Sequence, residues 1–161
     1  MKIRILLLLL SVAILDGCSA TARLYPVQGP LSTQTPLPVF LAKMTGKLNS
    51  GTITAVLNSG EACKGHWQVV PRAKAAKGAT TATYPSDNNM SAEWDAVYGT
   101  GFYVAHVLGQ KLYVRTVLTG DQGTVLNAEM YRPDTHDDDV ALGSIKGVAM
   151  DNKNNLYKIA F

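Results

Sequence analysis

Cysteine, histidine and charged side chains are all scarce in this chain of 161 residues. Its two cysteines are far apart, so no Cys-x-x-Cys redox motif is present. Its three histidines, His66, His106 and His136, do not form the close ligand pairs that zinc sites usually have. The sequence therefore predicts neither a dithiol redox centre nor a zinc centre.

The common signatures of catalysis and of nucleic-acid binding are missing as well. There is no Gly-x-Ser-x-Gly elbow, no phosphate-binding glycine loop and no His-Glu-x-x-His helix. The formal net charge of +3 is too small to indicate a nucleic-acid partner. A binding or structural role without a cofactor is favoured, and an enzyme whose site the fold assembles from distant residues remains open.

The hydrophobic run near the start of the chain is too short for a membrane-spanning helix, which requires about 20 apolar residues. This run covers Ile5–Leu15. Lys2 and Arg4 precede it and small residues follow it, which is the three-part pattern of a secretory signal. We predict that residues 1–17 are a signal peptide that is removed during export.

The next residues resemble the lipobox of small bacterial lipoproteins, in which an aliphatic residue and two small residues precede a cysteine. Here the sequence is Leu15-Asp16-Gly17-Cys18, and Asp16 departs from the family's uncharged small residue. The resemblance implies that the chain is cleaved before Cys18, that a diacylglycerol is attached to its sulphur and that the new amino terminus is acylated. The alternative is an ordinary signal, cleaved at a small residue such as Gly17 or Ala20, that leaves Cys18 free.

The lipobox resemblance also implies a location. Ser19 follows the cysteine, which in enteric bacteria implies export to the outer membrane rather than retention at the inner membrane. The protein would then lie at the periplasmic face of a Gram-negative outer membrane, held by acyl chains on Cys18, with an envelope protein as a candidate partner. Cys63 would be the remaining thiol, and we interpret it as a small buried apolar side chain.

Residues 18–44 are rich in proline. The prolines are Pro26, Pro30, Pro36 and Pro38. Prolines at this density exclude a helix and weaken a central strand. We predict that residues 18–44 form an extended tether between the bilayer and a single β domain, residues 45–161. The alternative is that residues 38–44 lie on the domain as an edge strand.

The segment 52–70 predicts a hairpin with a defined register. A three-residue loop, 58–60, gives one continuous apolar face across the two strands. The resulting pairs are Ala55 with Cys63 and Ile53 with Gly65. Such loops commonly place their last residue in the left-handed conformation, so Gly60 is expected there. Cys63 and Trp67 are expected to face inward.

The rest of the chain predicts further strands and one helix. The strands are 101–107, 111–118, 123–131, 143–150 and 156–161. In the last hairpin, the expected pairs are Ala149 with Tyr157 and Gly147 with Ile159. A helix is predicted at 91–98, with Trp94 docked on the sheet. The predicted fold is all-β and mainly antiparallel, a small curved sandwich or partly open barrel with one short helix near 91–98.

The chain's last strand leaves a second interpretation open. Tyr157, Ile159 and Phe161 alternate up to a final phenylalanine, which resembles the end signal of outer-membrane β-barrels. A spanning strand needs about 9–11 residues, and such barrels carry aromatic girdles. Several of the predicted strands are shorter, so a domain that faces water is favoured and a small outer-membrane barrel remains the alternative.

Two groups of side chains are candidates for binding. The first is a set of aromatic residues that an exposed patch would present to a ligand or partner: Trp94, Tyr98 and Tyr103. The second is a set of loop carboxylates next to His136 whose oxygens suit a calcium ion: Asp134, Asp137 and Asp139. Because their spacing does not match the EF-hand pattern, a solvated acidic loop is favoured over a metal site.

Overall fold

Eight antiparallel strands form a single sheet that closes on itself. The computed structural model of the chain describes residues 19–47, 49–70, 90–109, 112–133 and 144–161. The strands are β1 (Ser19–Gln28), β2 (Phe40–Lys47), β3 (Ser50–Val56), β4 (Ala62–Val69), β5 (Leu112–Gly120), β6 (Val125–Arg132), β7 (Lys146–Asp151) and β8 (Leu156–Ala160). Each strand pairs with the next, and β8 pairs with β1. The all-β prediction is confirmed, and the architecture is a closed up-and-down barrel rather than a sandwich or an open barrel.

The proline-rich segment differs from the predicted tether. β1 covers Ser19–Gln28 and pairs with both β2 and β8, so these residues belong to the barrel. Pro26 lies beyond Leu24, the last residue of β1 that pairs with β2, and next to a register shift in the pairing with β8, which are positions where a proline is tolerated. The alternative strand at 38–44 corresponds to β2, but it is paired on both sides and is not an edge strand.

The predicted hairpin register is confirmed. Ala55 pairs with Cys63 and Ile53 with Gly65. Gly60 has a φ of 80°, the left-handed conformation that a side chain rarely adopts. Cys63 is buried, and the pairs predicted for the last hairpin, Ala149 with Tyr157 and Gly147 with Ile159, are also present.

The barrel is apolar inside and largely polar outside. Alternate residues of each strand enter a core that includes Leu24, Phe40, Ile53, Leu126 and Tyr157. The residues between them face outward and include exposed cations, namely Arg23, Lys43, Lys64 and Lys158. This period of two along every strand is the pattern of a sheet with one buried face.

The predicted helix is confirmed, whereas the strand predicted at 101–107 is wrong. Helix α1 covers Ser91–Tyr98, and a π-helical turn covers Tyr103–Val107. The Asp95 carboxylate accepts hydrogen bonds from the amides of Gly101 and Tyr103, both at 2.9 Å, which fixes the entry into the π-helical turn. Among the helices in the described residues, none is long and apolar enough to cross a membrane.

Aromatic rings explain why the segment after α1 stays helical. Rings recur every four residues and stack in sequence along one side of α1 and the π-helical turn: Trp94, Tyr98, Phe102 and His106. The centroid distances along this series are 5.5, 4.7 and 4.6 Å. Such contacts stabilise a helical spacing that an alternating strand would not provide. The alternation of 101–107 was therefore misleading.

A network of buried polar groups fills the end of the barrel where the β3–β4, β5–β6 and β7–β8 turns meet, which we call the closed end. Glu61 accepts hydrogen bonds from the Thr124 hydroxyl at 2.6 Å, the Thr124 amide at 2.8 Å and the Gln122 amide at 3.2 Å. The Lys153 ammonium lies 3.8 Å away. Asn155 accepts a hydrogen bond from the amide of Leu31, which ties the segment after β1 to the same end.

Because of this network, we expect the free energy of unfolding to decrease at acid pH. The Thr124 hydroxyl, followed by the Thr124 amide, lowers the pKa of Glu61 below its ordinary value of 4.5. Because the folded pKa is lower than the unfolded one, the stabilisation is full above 4.5 and is lost as the pH falls through the folded pKa. Chemical denaturation measures the free energy of unfolding across this pH range. In Glu61→Gln, this free energy is expected to decrease less toward acid pH than in the wild-type protein.

Thr124→Val provides a second variant for this measurement. It removes the hydroxyl that lowers the pKa of Glu61 most. The loss of stability toward acid pH is therefore expected to occur at a higher pH than in the wild-type protein. If the free energy of unfolding of both variants depended on acid pH as in the wild-type protein, Glu61 would not be the group responsible.

Candidate functional site

The end of the barrel opposite the closed end contains a cavity of about 560 Å³, which we call the mouth. It lies where β1, β3, β5 and β7 begin and where β2, β4, β6 and β8 end. Its lining is mainly apolar and includes Ala20, Met44, Trp67, Val69, Val114, Met130, Ile145 and Phe161. Several of these side chains rest on the barrel core, which forms the floor of the cavity.

Trp67 forms one wall of the mouth, and two glycines make room for it. Gly46 and Gly51 are paired across β2 and β3, and Trp67 is the partner of Gly51 on β4. A Cβ on Gly46 would lie 2.8 Å from Trp67 Cζ2, and a Cβ on Gly51 would lie 2.7 Å from Trp67 Nε1. The indole nitrogen donates a hydrogen bond to the Thr45 carbonyl at 3.2 Å, which fixes the ring in this position.

One cation belongs to this apolar site. Arg132, at the end of β6, lines the cavity and is exposed to solvent. Within the described ranges, the other lining residues are uncharged. Among its described lining residues, the mouth therefore combines an apolar interior with one cationic side chain, an arrangement that suits an amphipathic ligand.

The aromatic residues predicted to form a binding patch lie elsewhere and serve a different purpose. Trp94 and Tyr103 are 0% and 1% exposed in a second apolar cluster between α1, the π-helical turn and the outer barrel wall. Tyr98 is half-buried, and its hydroxyl donates to the Gly147 carbonyl at 3.3 Å. Burial raises the pKa of Tyr98 to about 12, so it remains a neutral donor. These residues attach α1 to the barrel.

Glu129 is the polar centre of this attachment. It is buried on the outer wall of β6 and accepts hydrogen bonds from the Met90 amide at 3.2 Å and Trp94 Nε1 at 3.0 Å. Arg115 on β5 donates to the same carboxylate at 3.0 Å. The charge of Glu129 is thereby paired and hydrogen-bonded, as a buried carboxylate requires.

A second depression, of about 670 Å³, lies on the outer wall beside the start of α1. Its lining is more polar and includes Glu93, Arg115, Asn127, Glu129 and Asn152. Its central charges, Arg115 and Glu129, already bind each other. The mouth is therefore the better candidate for a ligand site.

Of the residues predicted for a metal site, for lipidation and as a thiol, only Cys63 lies within the described residues. Asp134, Asp137 and Asp139 lie outside the described residues, and so does Cys18. In the part of the chain that is described, no group of His, Cys, Asp and Glu side chains is arranged to hold a metal ion. Burial raises the pKa of the Cys63 thiol, which agrees with the interpretation of Cys63 as a small apolar side chain.

The fold and the site together define a class: an up-and-down β-barrel of eight strands with one end filled and an apolar cavity at the other. No protein-family model, no curated protein and no solved structure has significant similarity to this chain.

Proposed function

We propose that this protein is a lipid-anchored binding protein of the Gram-negative cell envelope whose barrel mouth holds a small apolar molecule. The observation that carries the binding role is the mouth itself, a cavity of about 560 Å³ with an apolar lining. Ligand sites commonly measure about 300–1,000 Å³ and are mainly apolar with few polar groups. The lipobox-like sequence that ends at Cys18 supports the anchor at the periplasmic face of the outer membrane.

The dimensions of an eight-stranded barrel support the same role. Such a barrel has an interior that either side chains fill or one small ligand occupies. Here Phe40, Leu126 and Tyr157 fill the core, while the residues nearest the mouth surround open space. The barrel is thus packed in one part and hollow in the other.

The orientation of the side chains argues against the alternative of a barrel that spans the outer membrane. A spanning barrel presents an apolar band to lipid and a polar interior. This barrel has the reverse arrangement, with an interior of Leu24, Phe40 and Ile53 and outward cations such as Lys43 and Lys64. We therefore propose attachment by acyl chains on Cys18 rather than insertion of the strands.

Filling the mouth is expected to abolish binding. Val114 lines the cavity, whereas Val117, on the same strand, faces solvent. Val114→Trp places an indole in the space of the ligand, so the affinity for an apolar dye such as N-phenyl-1-naphthylamine is expected to fall about tenfold or more. Fluorescence titration measures the dissociation constant.

The matched control is Val117→Trp. It makes the same substitution on the outside of β5 and is expected to leave dye binding unchanged. Equal affinities for the two variants, with both folded by circular dichroism, would place the binding site somewhere other than the mouth.

The anchor has its own test. Cys18→Ser removes the sulphur to which acyl chains attach, so the exported protein is expected to appear in the soluble periplasmic fraction and to lose label from radioactive palmitate. The wild-type protein and a Ser19→Thr variant serve as controls that retain Cys18. Palmitate label in Cys18→Ser equal to that in the wild type would contradict acylation at this residue.

A further inference from the structure

We propose that the mouth faces the bilayer and takes up the acyl chain of an anionic phospholipid from it. This inference rests on the proposed function, since it names the ligand of that same cavity and the direction from which the ligand arrives.

The position of β1 places the anchor next to the mouth. Ser19 is the first residue of β1 and lines the cavity. Consecutive Cα atoms are about 3.8 Å apart, so a lipid on Cys18 is attached one residue away from the cavity rim. The tether predicted between anchor and domain is instead a barrel strand, and little chain remains to lift the mouth away from the bilayer.

The opposite end of the barrel is far from this attachment point. β1 has 10 residues. At about 3.3 Å per residue, this strand is about 30 Å long. The closed end carries the buried carboxylates of Glu61 and Asp151 and the exposed carboxylate of Asp121. A barrel held at Ser19 therefore presents its apolar mouth, rather than its closed end, to the membrane.

The chemistry of the mouth fits a lipid with one acyl chain inserted. The interior offers aliphatic and aromatic side chains from several strands, including Met44, Trp67 and Val114. Arg132 lies at the rim, where the head group of an inserted chain would emerge. A guanidinium is always charged and binds phosphate or carboxylate oxygens in a forked geometry. Fatty acids and anionic phospholipids share this chemistry, and the mouth's position at the bilayer favours the phospholipid.

Binding is tested with the soluble Cys18→Ser protein and a series of monoacyl phosphatidylglycerols of increasing chain length. Each methylene buried in the cavity is expected to raise the affinity about fourfold until the cavity is full. Arg132→Gln is expected to weaken binding about tenfold, because a charge-assisted contact to the phosphate is lost. Arg23→Gln makes the same change in charge on the outer wall and is expected to have no effect.

Two results of this titration would overturn the ligand assignment. One is an affinity that does not depend on chain length. The other is an equal effect of Arg132→Gln and Arg23→Gln. Native mass spectrometry of the protein isolated from its own membrane then separates the two sources: bound phospholipid supports the proposal, and bound free fatty acid alone contradicts it.

The orientation is tested with the lipidated protein in vesicles of phosphatidylethanolamine and phosphatidylglycerol that carry a nitroxide on the head group. The chain has two tryptophans, Trp67 at the mouth and Trp94 beneath α1. Trp94→Phe leaves Trp67 as the sole emitter, and Trp67→Phe leaves Trp94. Quenching of Trp67 is expected to be several-fold stronger than quenching of Trp94.

If Trp94→Phe folds poorly, the wild-type protein and Trp67→Phe can be compared instead. The part of the wild-type emission that the nitroxide quenches strongly is expected to be missing from the emission of Trp67→Phe. Equal quenching of the two tryptophans would overturn the orientation. This result differs from the results that would contradict the proposed function. If Cys18 were not acylated, the protein would not float with the vesicles. If the mouth were not the binding site, Val114→Trp would still bind the dye.

Discussion

Replacement of Trp94 with alanine is expected to lower the free energy of unfolding by about 3–5 kcal/mol, the range for deletion of a large buried aromatic side chain. Trp94 is fully buried and packs against the rings of Tyr98, Phe102 and Tyr131 at centroid distances of 5.5, 6.1 and 5.6 Å. The substitution also removes the indole donor that lies 3.0 Å from Glu129. Urea denaturation followed by far-ultraviolet circular dichroism measures the loss.

Trp67→Ala is the matched control for this prediction. Trp67 is only partly buried and borders a cavity, so its removal enlarges an existing space and is expected to cost clearly less. If Trp67→Ala destabilised the protein more than Trp94→Ala, the attachment of α1 would contribute little to the fold, contrary to the packing described above.

Replacement of Asp151 with alanine is expected to have the second large effect. Asp151 accepts four hydrogen bonds at the closed end: from the amides of Lys153 and Asn155 at 2.9 and 2.8 Å, from Asn155 Nδ2 at 2.8 Å and from the Tyr157 hydroxyl at 2.7 Å. Tyr157 and Asn155 are both buried. A buried donor left without an acceptor costs about 1–3 kcal/mol, so a total loss of about 3 kcal/mol or more is expected.

Asp121→Ala separates this effect from a general loss of charge at the closed end. Asp121 lies in the β5–β6 turn, is exposed and accepts one hydrogen bond, from the Ala62 amide at 3.1 Å. Its removal is expected to cost about 1 kcal/mol or less. Guanidinium denaturation of the two variants is the measurement, and equal losses would contradict the role given to Asp151.

The sequence predicts pairing well where local rules are strict. Side chains alternate between two faces, so a hairpin has few registers that keep its apolar residues together. This rule, with the three-residue loop that ends at Gly60, was enough to pair Ala55 with Cys63. The same reasoning paired Ala149 with Tyr157 across the last hairpin.

Two elements differ from the prediction because contacts outside the predicted pattern outweigh it. The prolines of residues 18–44 indicated a tether, yet β1 and β2 are barrel strands because both gain partners on each side. The residues 101–107 alternate like a strand, but Asp95 and the stacked rings of α1 hold Tyr103–Val107 in a π-helical turn. The pairing of β1 with β8 joins segments distant in the sequence, whereas the ring that recurs every four residues from Trp94 to His106 is a local signal of a helix.

The mouth was not predicted at all, for a related reason. Its lining comes from the ends of strands that lie far apart in the chain, such as Ala20, Met44, Val114 and Phe161. Each of these residues is an ordinary apolar side chain in its own strand. Only closure of the barrel brings them around one space. The same holds for Gly46 and Gly51, whose role in making room for Trp67 depends on their pairing across two strands.

Closure of the barrel also determines which strand pairing can form only at the end of folding. β1, the earliest strand, hydrogen-bonds to β8, the last one, from Arg23 with Ala160 to Gln28 with Leu156. That seam cannot form until β8 is available to pair with β1, and contacts so distant in sequence form slowly. During this interval β1 and β8 both expose unpaired backbone, which invites pairing with neighbouring chains. The seam is therefore the part of the barrel that a chaperone would have the most reason to protect.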